Sequence, residues 1–315
     1  MKPPKKSAII AAFAAIYLIW GSTYLGILFA IESIPPMLMS GSRYLLAGVI
    51  MYGLARMQGA PRSGWGDWRT AAIIGAALLL GGNGGVTIAE QWVPSGLAAV
   101  VVATVPIYMV LLGWLMKTAP RPTSAVWLGL AGGFAGVALL LAPNADVTTQ
   151  QYPQLRLGML VLLCSAFLWS AGSIYSRRAQ NAPSPFLAAG QQMICGGGLM
   201  LLAGLLTGEL PRFDIHRVTW LSFGAWVYLV LIGAIVGFTA YIWLLRHCDP
   251  AKVATYAYVN PIVAVMLGAG FAGETLTLRT VLAATLIIGS VALVITAEQW
   301  KRKPAPVAAP APVAD

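Results

Sequence analysis

Charge is what this sequence has least of: Asp, Glu, Lys and Arg make up 10% of its 315 residues, and only two residues are histidine. A soluble domain of this length carries about a quarter charged residues, so the chain lacks the polar surface to cover itself in water. Cysteine is sparser still. Cys164, Cys195 and Cys248 stand far apart with no metal-ligand spacing, which argues against a disulfide framework or a zinc site and leaves them as small apolar residues. No phosphate-binding loop, catalytic triad or metal cluster appears, so no cofactor or metal is expected.

What is present is apolar: 58% of the residues are hydrophobic and the mean hydropathy is +0.77. The net charge of +10 sits in short clusters between apolar runs, as in loops that flank membrane spans. A nucleic-acid partner would need a soluble basic face, and none is expected.

About twenty apolar residues cross a hydrocarbon core. Ten such runs are legible, at 8–30, 37–57, 70–91, 96–116, 124–142, 157–176, 186–207, 219–245, 252–272 and 277–297. Short connections rich in Gly, Pro or charge join them and leave no room for a soluble domain. The basic start resembles a secretory signal, but its apolar run continues past Trp20 to Ala30, so it reads as the first span. After Lys303 the chain turns Pro/Ala-rich, which predicts disorder in a cytoplasmic tail over 299–315.

The basic residues orient the spans. With the N-terminus inside, fifteen Lys and Arg fall in cytoplasmic segments, and four (Arg156, Arg212, Arg217, Arg279) fall outside; Arg43 lies within a span. This bias predicts both termini in the cytoplasm of a multi-pass protein of the bacterial inner membrane, with lipid as its surroundings.

The halves also repeat. Trp20 recurs as Trp169, Pro36 as Pro185 and Gly48 as Gly197, each 149 residues on, and after a slip Pro106 matches Pro261, 155 residues on. Five spans per copy is an odd number, so the second copy enters from the opposite side. The expected fold is an all-α membrane protein with ten transmembrane helices in two inverted five-helix repeats, 1–142 and 157–298.

Particular residues carry a family resemblance. They are Trp20-Gly21-Ser22-Thr23-Tyr24, Arg43-Tyr44, the run from Gly82 to Glu90, the run from Val93 to Val100, Tyr256 to Pro261, and Gly273-Glu274-Thr275-Leu276. On these the sequence resembles the EamA family of the drug/metabolite transporter superfamily, and within it the YedA- and PecM-like members. The resemblance covers all but the two tails. It implies a ten-helix inverted-repeat carrier that moves small organic molecules outward, amino acids and related metabolites among them. The family's glutamate after the fourth span is matched by Glu274 in the second copy, whereas the first copy has Lys117-Thr118-Ala119-Pro120 and no acid.

A carrier needs polar groups buried at mid-depth. Arg43 is the only charge deep in an apolar run; it is either an anion receptor or a helix-packing group, and its repeat equivalent is Gln192. Asn83, Thr87, Glu90 and Gln91 fall on one face of an α-helix by spacing. Glu90 is placed near the outer interface, where a carboxylate costs little. The run Gly81-Gly82-Asn83-Gly84-Gly85 predicts a broken or flexible helix that exposes backbone to a ligand, or else close helix packing. Trp20 and Tyr24, with Trp169 at matching depth, would stack on a substrate or fill the core. Tyr256 and Asn260 share a face ahead of Pro261, and Pro106 and Pro261 are expected to be matching kinks that serve as hinges. Gly132-x-x-x-Gly136 is consistent with a dimer face or with packing inside the bundle, so the chain is expected to be a monomer or a homodimer. The leading function is secondary or facilitated export of small metabolites by alternating access. The alternatives are export of drugs or amphiphiles and, from another class, a membrane enzyme using Arg43 and Glu90.

Overall fold

The computed structural model describes residues 5–117, 121–141, 153–179, 184–248, 253 and 256–301. The tail from 302 onward lies outside the described residues, as do 254 and 255 at the start of the ninth apolar run. Every regular element among the described residues is helical, with no strand. The helices are α1 (Lys6–Ile31), α2 (Pro36–Met57), α3 (Trp65–Ala89), α4 (Ser95–Leu115), α5 (Ser124–Leu141), α6 (Leu155–Arg178), α7 (Pro185–Leu206), α8 (220–247), α9 (Tyr256–Phe271) and α10 (Leu278–Lys301). Pro36 and Pro185 open α2 and α7 at a position where the missing N–H is not needed. Gly59, Gly208 and Gly273, at φ 85°, 72° and 64°, follow the ends of α2, α7 and α9 in the left-handed region that only glycine enters freely.

α1, α3, α4, α6, α7 and Trp220–Tyr241 of α8 are six helices long and apolar enough to cross a membrane. Shorter apolar stretches occupy α5, α9 and α10. The perimeter is oily: Leu18, Val49, Leu128, Leu202, Trp220 and Leu282 are all exposed.

Two elements depart from α geometry. α3 is wound as a π-helix over Ala76–Gly84, and α8 over Leu229–Val236. Of the two outcomes expected of the glycine-rich run, the helix does not break but widens its winding, and close packing is present, with Gly81 against Leu168 and Gly82 against Trp169 of α6. Glycine is not the shared cause, because the α8 stretch holds only Gly233. Such π segments are rare and concentrate at functional sites.

α2 and α7 approach each other backbone to backbone. A Cβ on Gly41 would lie 2.7 Å from the Leu201 nitrogen, on Gly48 2.7 Å from the Ile194 nitrogen, on Gly190 2.8 Å from the Tyr52 nitrogen, and on Gly197 2.5 Å from the Leu45 nitrogen. The two residue numbers of each pair add to 242, so the helices run antiparallel. The pairs are also reciprocal: adding 149 to Gly41 gives Gly190, and subtracting 149 from Leu201 gives Tyr52. α5 and α10 pack in the same manner, with Gly129 against Ser290 and Gly136 against Ala283. Gly132 and Gly136 thus face α10 inside the bundle and not a second molecule. α1 packs on α8 and α9, and α6 on α3 and α4.

The two prolines differ. α4 is interrupted at Ala103–Thr104, so Pro106 opens its second half, Val105–Leu115, whereas Pro261 lies inside the uninterrupted α9. The expected matching kinks are therefore not equal. Their surroundings do correspond. Ser170 of α6 donates to the carbonyl of Val105 at 3.1 Å, and a Cβ on Gly21 of α1 would lie 3.2 Å from the carbonyl of Asn260.

Candidate functional site

Two groups of polar and aromatic side chains lie inside the bundle. The first is held between α2 and α3. The hydroxyls of Ser40 and Thr87 meet at 2.8 Å, both buried, and Thr87 also donates to the Asn83 carbonyl at 3.0 Å. One turn from Ser40, Arg43 is 3% exposed. Its Nη2 donates to the Tyr44 hydroxyl at 3.0 Å and its guanidinium carbon lies 4.5 Å from the Tyr44 ring centroid, while Nε has no hydrogen-bond partner. One turn from Thr87, Glu90 is also 3% exposed, and neither carboxylate oxygen accepts a hydrogen bond.

Glu90 thus corrects its expected place at a solvated interface. It stands at the C-cap of α3, and the folded bundle buries it there. Arg43, Glu274 and Tyr24 all lie close enough to act on it electrostatically. Removing a carboxylate and a guanidinium from water is costly unless each is matched by opposite charge and hydrogen bonds. Among the described residues no ion pair joins the two, and both Glu90 carboxylate oxygens and the Arg43 Nε are left without a hydrogen-bond partner.

The second group is aromatic. Trp20 of α1 lies 5.1 Å from Tyr241 of α8 and 5.0 Å from Tyr256 of α9, centroid to centroid, and the two tyrosines lie 6.1 Å apart. With its amide nitrogen turned to them, Asn260 donates to the Tyr17 and Tyr256 carbonyls at 3.2 Å each, so it ties α9 to α1. Tyr24 lies between the groups, near Tyr256 on one side and near Glu90 and Tyr44 on the other.

Of the residues singled out from sequence, Trp20, Tyr24, Arg43, Thr87, Glu90, Tyr256 and Asn260 come together here. Asn83 is half-buried at the end of the π segment and offers its carbonyl to Thr87. Gln91 is exposed and donates to the Ile88 carbonyl, so the expected four-residue face does not form. Trp169 packs on Gly82, whose Cβ would lie 2.9 Å from its ring, and Gln192 presents its carbonyl to Gly75, 2.7 Å from where a Cβ would be. Both stand apart from the two groups. Sequence reasoning missed Tyr241, which no motif marks, and Gln191, which is fully buried with both amide atoms unpartnered. Among the described residues no three His, Cys, Asp or Glu side chains could hold a metal ion.

Two apolar grooves open on the sides of the bundle. One, of about 600 Å³, runs between α1 and α8 past Ala12, Ile235, Val236, Ala240 and Trp243. The other, of about 410 Å³, runs between α3 and α6 past Leu80, Gly81, Gly85, Ile88 and Val161. Their linings match by the repeat: Leu80 and Ile235, Gly81 and Val236, Gly85 and Ala240, and Ile88 and Trp243 are each 155 apart, and Ala12 and Val161 are 149 apart.

Comparison with known proteins bears on this architecture. The EamA-like transporter family matches residues 6–142 and again 156–296. The uncharacterized inner membrane transporter YedA of Escherichia coli (strain K12) is 38% identical over 303 residues, covering 96% of this chain and 95% of that protein. Protein PecM of Dickeya dadantii is 24% identical over 90% of this chain and 91% of its own. The "Probable amino-acid metabolite efflux pump" of Escherichia coli (strain K12) is 22% identical over 95% and 97%. A crystal structure described only as that of a protein shares the fold, with a TM-score of 0.63 at 21% identity over 92% of this chain and 98% of that one.

Proposed function

The chain belongs to the EamA-like transporter family, and we propose from this that it is an inner-membrane carrier exporting small metabolites with a carboxylate, amino acids among them, by alternating access. Its ten helices each span the membrane, as two inverted repeats with both termini in the cytoplasm. Support for the inversion comes from the antiparallel, reciprocal α2–α7 contact, the paired π segments of α3 and α8, and the equivalent seats of Trp20 on Gly237 and Trp169 on Gly82. α2 has low hydropathy for a span because it carries Arg43 and Arg56.

The observation that carries the function is the buried pair of unmatched charges, Arg43 and Glu90. A guanidinium with a free Nε edge receives a carboxylate, and a carboxylate with free lone pairs receives an ammonium group. A zwitterion supplies both, and the aromatic group around Trp20 offers faces for its side chain. The names of the relatives agree with transport, and that of the 22% identical efflux pump with amino-acid metabolites. Counterflow in proteoliposomes tests the reading: preloaded unlabelled amino acid should drive uptake of the labelled one. No exchange with any of a panel of amino acids and carboxylate metabolites would sink it.

The two lateral grooves favour a second reading, export of drugs or amphiphiles that enter from lipid. That reading expects counterflow by apolar cations that lack a carboxylate.

A further inference from the structure

Glu209 and Glu274 stand at the end of the bundle where α2 and α4 begin, and each caps a helix of the other repeat. Glu209 follows α7, and its Oε2 accepts hydrogen bonds from the Met37 and Leu38 nitrogens, both at 2.9 Å, with Oε1 3.2 Å from Met37 N. Glu274 follows α9. Its Oε1 accepts from the Ser95 nitrogen and hydroxyl, both at 2.6 Å, and its Oε2 from the Gly96 nitrogen at 3.0 Å. A carboxylate there satisfies N–H groups that the helix itself leaves unpaired and meets the positive end of the helix dipole.

By sequence, the repeat equivalents of both groups, which belong to the opposite end, carry no carboxylate. The residue 149 before Glu209 is Ala60, and the residue 155 before Glu274 is Ala119. The turn itself is kept, since Gly59 before Ala60 has φ 85° and Gly208 before Glu209 has φ 72°. What differs is the carboxylate. Packing differs the same way along α4. Ser95 to Val101 are buried at the clasped end, where a Cβ on Gly96 would lie 2.9 Å from the Val265 Cα, while Tyr108 to Leu112 are only half-buried.

We propose that Glu209 and Glu274 are two latches that hold the outer end closed, so that the carrier rests inward-facing and must release both clasps to open outward. The inference rests on the inverted repeat and the orientation proposed above. Binding energy from a substrate in the site beneath would then be spent on releasing them.

Thiol labelling of the full chain tests this without a known substrate. Cys164, Cys195 and Cys248 are replaced by serine, and Ala99→Cys, at a position 1% exposed in α4, reports opening to a membrane-impermeant maleimide added outside. Glu209→Ala with Glu274→Ala gives the outer end the residues of the inner one. It should raise the labelling rate roughly tenfold or more, the shift expected from losing one charge-assisted hydrogen bond. Ala60→Glu, which adds a clasp at the inner end, should raise it too. Labelling of the double alanine variant at the parent's rate overturns the proposal. If that variant fails to fold, an unchanged rate in Ala60→Glu overturns it. Labelling only by reagent sealed on the cytoplasmic side overturns the orientation on which it stands, and counterflow is unaffected by that result.

Discussion

Gly48 and Gly197, 149 residues apart, press on each other's helices at equivalent points: a Cβ on either would come within 2.7 Å of a backbone nitrogen across the α2–α7 contact. Backbone cannot swing aside as a side-chain tip can, so the helices must separate to admit a methyl group. We expect Gly48→Ala and Gly197→Ala each to destabilise the folded protein by about 1–3 kcal/mol or more. Gly198→Ala, one residue on and with nothing within 4 Å of its Cβ, should be neutral or stabilising by up to about 1 kcal/mol. Thermal unfolding in detergent separates these outcomes. Equal effects at 197 and 198 would mean that the close approach is not a constraint.

The Ser40–Thr87 hydrogen bond fixes how α2 and α3 present Arg43 and Glu90. Thr87→Val leaves the buried Ser40 hydroxyl without this partner, which costs about 1–3 kcal/mol, Ser40→Ala costs less because Thr87 keeps its bond to the Asn83 carbonyl, and the double change removes both partners. A double-mutant cycle should therefore show a favourable coupling of about 1 kcal/mol. A coupling of zero would place the two hydroxyls apart.

Orientation is checked by reporter fusions. The fifteen-to-four division of Lys and Arg predicts that a fusion at Gly208 reads external and that fusions at Gln58 and the C-terminus read cytoplasmic. A C-terminus found outside would remove the inversion together with the orientation, since an even number of spans keeps both ends on one side.

Local features were legible in the sequence and contacts between distant segments were not. The apolar run 8–30 became Lys6–Ile31, and 186–207 became Pro185–Leu206, because length and apolarity alone decide where such helices form. The α3 face that spacing predicts differs from the observed one for a physical reason. Spacing assumes that the helix continues through Gln91, but it ends at Ala89 with Glu90 at its C-cap, and Gln91 turns out to the surface. Depth along one helix places Glu90 at a solvated interface but says nothing of the neighbouring helices that bury it. Glu209 carried no motif, and its partners Met37 and Leu38 lie 172 and 171 residues away. Arg43 was legible because a lone charge in an apolar run has few structural reasons to be there.

Arg43 is also the sharpest test of the proposed site. Its guanidinium is 3% exposed, bonds one neutral hydroxyl, and has Glu90 as a charge partner only across the site. A substrate carboxylate would complete it through the planar fork, which a lysine ammonium cannot reproduce. Arg43→Lys keeps the charge and loses the fork, and Arg43→Gln reproduces the repeat equivalent Gln192 and loses both. Counterflow of a carboxylate substrate below saturation should fall in the order wild type, Lys, Gln, with roughly a tenfold to hundredfold loss at Gln, the worth of a charged hydrogen bond. Glu90→Gln should reduce transport of the amino acid but spare its N-acetyl derivative, which carries no ammonium to receive. Surface expression, measured alongside, separates lost recognition from lost folding. Arg43→Gln transporting at the wild-type rate, or failing to reach the membrane while Arg43→Lys behaves as wild type, would make Arg43 a packing residue and leave the carboxylate without a receptor.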